Sequence, residues 1–189
     1  MIRIGFAMCG SFCTMAEALA QLKILKDSGA DILPIMSEIV YTSDTRFTKC
    51  KELINEVNKI TQKEVVHTVV GAEPIGPKKL LDMLVVCPCT GNTLSKIANG
   101  ITDSSVTMAV KAHLRNDRPV VLCIATNDAL SASAKNIGLL LNQKNIYFVP
   151  FGQDDSKNKP TSLISDFNQL KETTELALKG EQLQPLLIK

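Results

Sequence analysis

Tryptophan is absent from this chain of 189 residues, and aromatic residues make up only 4% of it. Stacking platforms for nucleic-acid bases are therefore not expected. Charge of one sign is also missing: 21 Lys and Arg face 19 Asp and Glu, for a net charge of +2, with the lysines scattered among acids. That balance gives no reason to expect nucleic acid as a partner. No run approaches the ~18 apolar residues that a membrane helix requires. The start, Met1-Ile2-Arg3-Ile4-Gly5, goes straight into a strand pattern, so no signal peptide is expected. The six cysteines then read as free thiols of a reducing cytoplasm.

Two nucleotide fingerprints are lacking as well. No GxGxxG follows the first apolar run, and no GxxxxGK followed by Ser or Thr occurs anywhere. Metal spacing is equally poor. Cys87-Pro88-Cys89 has one intervening residue where zinc half-sites favour two to four, and Cys9 and Cys13 lie on another loop, so no metal is expected.

What is present is an alternation of short apolar runs with segments of helical period, the pattern of a parallel sheet with crossover helices. Strands are expected at Ile2–Met8, Ile32–Met36, Val65–Val70, Leu84–Cys87, Pro119–Ala125 and Ile146–Pro150. Helices are expected at Thr14–Lys26, Arg46–Thr61, Thr93–Asn99, Ser104–Arg115 and Ala129–Asn142, with a closing helix over 162–179 and a short tail at 180–189. Gly71–Pro77 and Gln153–Pro160 read as loops. The fold class is α/β: a three-layer, Rossmann-like sandwich around a central parallel sheet, in a single domain over 1–189. A chain of this length buries enough surface to need no disulfide or metal staple.

In open α/β sheets ligands bind at the carboxyl ends of the strands. Four such ends carry small or hydroxylated residues here: Gly10-Ser11, Ser37, Cys89-Thr90-Gly91-Asn92-Thr93 and Thr126-Asn127. Small residues let backbone N–H groups approach a phosphate, and a following helix N-terminus adds a favourable dipole. The competing reading is that these are ordinary helix caps. Cys9, Cys13 and Cys89 fall beside this expected pocket, while Cys87 and Cys123 sit inside apolar runs as small core residues. His67 reads by default as solvated or satisfied in the core. Lys111, His113, Arg115 and Arg118 form a basic helix end, which either complements a helix dipole or, through Lys111, Arg115 and Arg118, attracts a dicarboxylate.

The segment Pro88-Cys89-Thr90-Gly91-Asn92-Thr93-Leu94-Ser95-Lys96-Ile97-Ala98-Asn99-Gly100-Ile101-Thr102-Asp103 resembles the "PASANT" segment of the flavin-containing cysteine decarboxylase superfamily. The Gly10-Ser11 turn is similar to that family's phosphate loop, and the resemblance covers about Met1 to Pro150. Lys111 to Asp155 resembles one branch most closely. Its members, from spore-forming bacteria, are flavoprotein-like subunits that work with a nicotinamide-binding A subunit. The resemblance implies an oxidoreductase that turns a dihydrodipicolinate-type precursor into dipicolinic acid during sporulation, in the mother-cell cytoplasm. It implies FMN held by Gly10, Ser11, Ser37, Cys89, Thr90, Asn92, Thr93, Thr126 and Asn127, NADP or NAD on the partner, a small dicarboxylate substrate and a trimer-based homo-oligomer.

Two departures bear on chemistry. The position where the decarboxylases carry their catalytic His, counted back from Asp82, falls on Pro74, and the decarboxylase "PAMN" segment is here Ile124-Ala125-Thr126-Asn127. No residue takes a catalytic role by resemblance. A stand-alone FMN-dependent decarboxylase-like enzyme, and a non-catalytic scaffold subunit that binds phosphate or FMN, are the alternatives.

Overall fold

The computed structural model describes residues 1–188 and places a seven-stranded sheet between two layers of helices. Strands β1 (Arg3–Met8), β2 (Asp31–Met36), β3 (Met83–Cys89), β4 (Val120–Thr126) and β5 (Ile146–Phe148) are parallel and lie in the order β2-β1-β3-β4-β5. These strands are apolar on both faces because both are covered, as parallel sheets require. On one side Phe6, Met8, Met83 and Val85 pack with Leu22 of α1 (Met15–Asp27), Leu53 and Val57 of α3 (Cys50–Thr61) and Leu170 of α8 (Leu170–Ala177). On the other, Leu84, Val86 and Leu122 pack with Leu94 of α5 (Gly91–Ala98), Val106 and Val110 of α6 (Ser105–Leu114) and Leu140 of α7 (Ala134–Leu141). Two short helices complete the set, α2 (Glu38–Thr42) and α4 (Val69–Ala72). No helix among the described residues is long and apolar enough to cross a membrane.

Four expectations change. The Val65–Val70 run is not a strand: Val66 makes one isolated bridge to Ile35, and the Thr68 hydroxyl then accepts from Gly71 N at 2.9 Å and starts α4. The β-branched run is cut short by its own cap. The helix expected from Arg46 begins only at Cys50, whose N–H is capped by Asp44 Oδ1 at 3.0 Å. Thr45 Oγ1 meanwhile accepts from Phe47 N and Thr48 N at 3.2 Å, which holds 45–48 in a turn. The helix expected from Ala129 likewise starts at Ala134, after turns.

The fourth change is the largest. The segment 162–179 is not one helix but β7 (Leu163–Ser165), a 3-10 turn and then α8. β7 runs antiparallel to β4 and to the two-residue β6 (Phe151–Gly152), so the sheet is mixed rather than wholly parallel. Ser165 fixes this arrangement, since its hydroxyl accepts from Ile124 N at 2.8 Å and donates to Val149 O at 3.3 Å. The tail also has structure: Leu187 bridges Phe151, and Leu183 is buried.

Candidate functional site

The strand order reverses between β1 and β3, and a crevice outside the carboxyl ends of the strands is the binding place that such a reversal creates. Here that crevice holds a cavity of about 450 Å³ walled by the loops after β1, β3 and β4 and by the segment between β6 and β7. The volume lies in the range of small-molecule sites. Gly10, Ser11, Thr90, Asn92, Thr126 and Asn127 all line it. A second cavity of about 250 Å³ shares Gly10, Thr90 and Asn92 with the first and adds Ser37, Thr93 and Lys96. The strand-end residues read from the sequence are thus brought together, with one exception. Cys89 is fully buried, its Sγ directed at Thr90 O (3.8 Å), and it packs in the core beneath the loop instead of lining the pocket.

Caps and ligand-facing groups coexist among them. Thr90 is the N-cap of α5, accepting from Thr93 N at 3.3 Å. The Thr93 hydroxyl in turn donates to Cys9 Sγ at 3.2 Å and ties the β3 loop to the end of β1. Ser37 stands at the N-cap of α2 but its side chain caps nothing, and its buried hydroxyl has no partner among the described residues. A buried polar atom left unpaired is costly, so this hydroxyl on the cavity wall is suited to bond a ligand acceptor or donor.

Burial decides the cysteine chemistry. It raises the Cys9 thiol to about 11, partly offset by the Thr93 hydrogen bond, and it also pushes Cys89 well up, helped by the neighbouring Cys9 and Cys123 thiols. Both are protonated at neutral pH and are not nucleophiles. Cys13 is exposed on the cavity wall.

Several wall residues were not singled out in the sequence. Asp128 follows Asn127 directly, accepts from the Thr126 hydroxyl, and shares the Ser133 hydroxyl between Oδ1 (3.2 Å) and Oδ2 (3.1 Å). Asp154 pairs with Lys159 at 3.2 Å; burial raises its pKa, but hydrogen bonds from Ser162 and Lys159 outweigh this and hold it below the usual carboxylate range. Arg46 lies over the Phe47 ring, 4.7 Å from its centroid, and takes part in no salt bridge among the described residues. A signal existed for two of these: an acid directly after a strand end, and an Asx/Thr cluster at 43–45 that postpones a helix.

The basic helix end goes elsewhere. Arg118 donates to Leu81 O and lies 3.3 Å from Asp82, which also binds Arg3 at 2.6 Å, at the amino ends of β1 and β3. Lys111 and Arg115 flank a separate groove with Ile97, Ile101 and Leu114. These three are therefore not gathered into the carboxyl-end crevice. His67 stacks on Tyr41, ring centroids 3.7 Å apart, in a third recess joined to the second cavity at Ser104.

Comparison with known proteins places this geometry in a lineage. The chain is 45% identical over 98% of its length, and 93% of the relative's, to the B subunit of dipicolinate synthase of Bacillus subtilis (strain 168). The crystal structure of the B subunit of dipicolinate synthase from Bacillus halodurans C is similar at 48% identity and a TM-score of 0.92, covering 100% of this chain and 96% of that one. The dodecameric FMN-dependent UbiX-like decarboxylase from Escherichia coli O157:H7 shares the fold at 20% identity and a TM-score of 0.64, over 79% of this chain and 80% of that one. Residues 1–173 match the Flavoprotein family, and the chain belongs to that family.

Proposed function

We propose that this chain is the flavin-binding subunit of a two-subunit oxidoreductase that oxidises a dihydrodipicolinate-type precursor to dipicolinic acid. The observation that carries this reading is the near full-length similarity to the B subunit of dipicolinate synthase, which covers every wall of the crevice. The A subunit of that enzyme is the partner, carrying NADP or NAD. Sporulation in the cytoplasm of a mother cell is the setting, and a homo-oligomer built on trimers is the assembly. All 189 residues act as one domain.

The residues present fit FMN. The unpartnered Ser37 hydroxyl, the small Gly10-Ser11 turn and Lys96 share the smaller cavity or its border, and together offer hydrogen bonds and a cation to a phosphate. Lys96 is held ready by Asp103, at 2.9 Å from both carboxylate oxygens. Thr90, Asn92, Thr126 and Asn127 lie towards the larger cavity, where a ring system and the substrate have room. When bound, FMN would supply two-electron redox chemistry. Arg46, a cation of that cavity, has no acidic partner among the described residues, and its guanidinium matches a substrate carboxylate. The segment 153–162 adds Asp154, Lys159 and Ser162 to the cavity wall.

A visible absorption spectrum of the purified protein, with and without added FMN, tests the cofactor. Mixing the two purified subunits with precursor and NADP tests the activity. Full dipicolinate formation by the A subunit alone removes the catalytic role.

A further inference from the structure

We propose that Asp128 is the proton acceptor of the larger cavity, taking a ring proton from a dihydropyridine dicarboxylate as it is oxidised. This rests on the reading of the chain as part of a dipicolinate-forming oxidoreductase. Converting a dihydropyridine to a pyridine removes two hydrogens. One C–H bond breaks with its electron pair, and the hydride would be accepted by the FMN held in this cavity, which the oxidised nicotinamide of the partner would reoxidise. The adjacent C–H bond breaks heterolytically: its pair becomes the new ring double bond, and its proton needs a base.

The carboxylates and other titratable groups of the crevice differ in what they are free to do. Asp154 is committed to Lys159 and Ser162, which hold its pKa down. The Cys9 and Cys89 thiols are buried and protonated. His67 is in the third recess, stacked on Tyr41. Asp128 takes part in no salt bridge among the described residues. Its Oδ2 receives only a share of the Ser133 hydrogen, which leaves lone pairs open on the cavity wall.

The carboxylate is also built into place. Ser133 is 2% exposed, so its hydroxyl is a fixed donor, and Thr126 holds Oδ1 from the end of β4. Gly91 makes the position possible. A Cβ there would stand 2.5 Å from Asp128 Oδ1, 2.6 Å from Thr126 Oγ1 and 2.9 Å from Ser133 Oγ, so all three groups converge on the one residue of the β3 loop without a side chain. A base held by two donors and a cradle is pre-oriented, as general bases must be. The charged and titratable groups that share the cavity with it are Cys13 after β1, Arg46 ahead of α3, and Asp154 and Lys159 after β6.

The test is steady-state kinetics of the two assembled subunits with precursor and NADP. Asp128→Asn keeps the acceptor for Thr126 and Ser133 but lacks basicity. Its kcat is expected to fall by about 10² to 10⁴-fold, with KM and the FMN absorption spectrum unchanged. The acid limb of the kcat–pH profile disappears with it, and formate partly restores turnover to Asp128→Ala. Asp128→Glu, which keeps a displaced carboxylate, retains the acid limb at reduced kcat and covers the case in which Asp128→Asn does not fold. A kcat within about threefold of wild type in Asp128→Asn overturns the assignment, because base catalysis contributes far more than that. So does a fall in kcat that leaves the acid limb in place and is not rescued by formate. Absence of turnover by the wild-type pair fells the oxidoreductase reading itself, and this inference with it.

Discussion

Replacing Gly91 with alanine puts one methyl group into the junction of the β3 and β4 loops, and its effect can be worked from the geometry. The new Cβ would lie 2.5 Å from Asp128 Oδ1 and 2.6 Å from Thr126 Oγ1, well inside ordinary van der Waals contact. The half-buried Asp128 carboxylate can escape towards the cavity, where water resolvates it, so its displacement costs little by itself. Ser133 cannot follow: the residue is 2% exposed, and its hydroxyl loses its acceptor, which costs about 1–3 kcal/mol. Alanine returns up to about 1 kcal/mol through lower backbone entropy in the unfolded chain. The net loss is about 1–2 kcal/mol, which for a chain of this size lowers Tm by roughly 2–8 °C. Thermal unfolding of the purified variant measures this. In an Asp128→Ala background, where the nearest of the clashing oxygens is gone, the same substitution should cost less. An unchanged or raised Tm for Gly91→Ala, or an equal loss in both backgrounds, would refute the cradle.

Acid should weaken the fold through His113. This side chain is fully buried, and burial first, then the charge of Arg118, lowers its pKa to about 4 although Pro119 O accepts from the ring. Because the unfolded chain binds this proton from about pH 6.5, the stability is fully present above that value and is lost as pH falls towards 4. The loss between pH 7 and pH 5 is about 2 kcal/mol. Urea unfolding at the two pH values measures it, and His113→Gln should flatten the difference. Ser37→Ala should leave the stability of the FMN-free protein unchanged or raise it by about 1–3 kcal/mol, since it removes a buried hydroxyl with no partner among the described residues. It should weaken FMN binding by roughly 10-fold or more, the value of a hydrogen bond to a charged group, as read by fluorescence titration. Arg46→Gln should raise KM for the dicarboxylate about tenfold or more while leaving the flavin spectrum intact; an unchanged KM would remove Arg46 from substrate binding.

The parallel half of the fold is written in the order of the amino acids. Each of the runs 3–8, 31–36, 83–89 and 120–126 is long and apolar enough to be legible as a buried strand, and the stripe along α1 carries the helical period over three turns. The small and hydroxylated residues at the four strand ends were legible too, because a parallel sheet puts all such ends on one edge. The remainder depends on contacts between distant segments. Two- and three-residue strands such as β6 and β7 carry less periodicity than a single helical turn, so 162–179 read as a helix until the edge of β4 and the Ser165 hydroxyl claimed it. The burial of Cys89 follows from its place in the core with Leu94, Leu122 and Ile124, which composition does not encode. Asp128, Arg46 and Asp154 are far apart along the chain, and only the folding of three separate loops over one strand reversal places them on a single cavity wall.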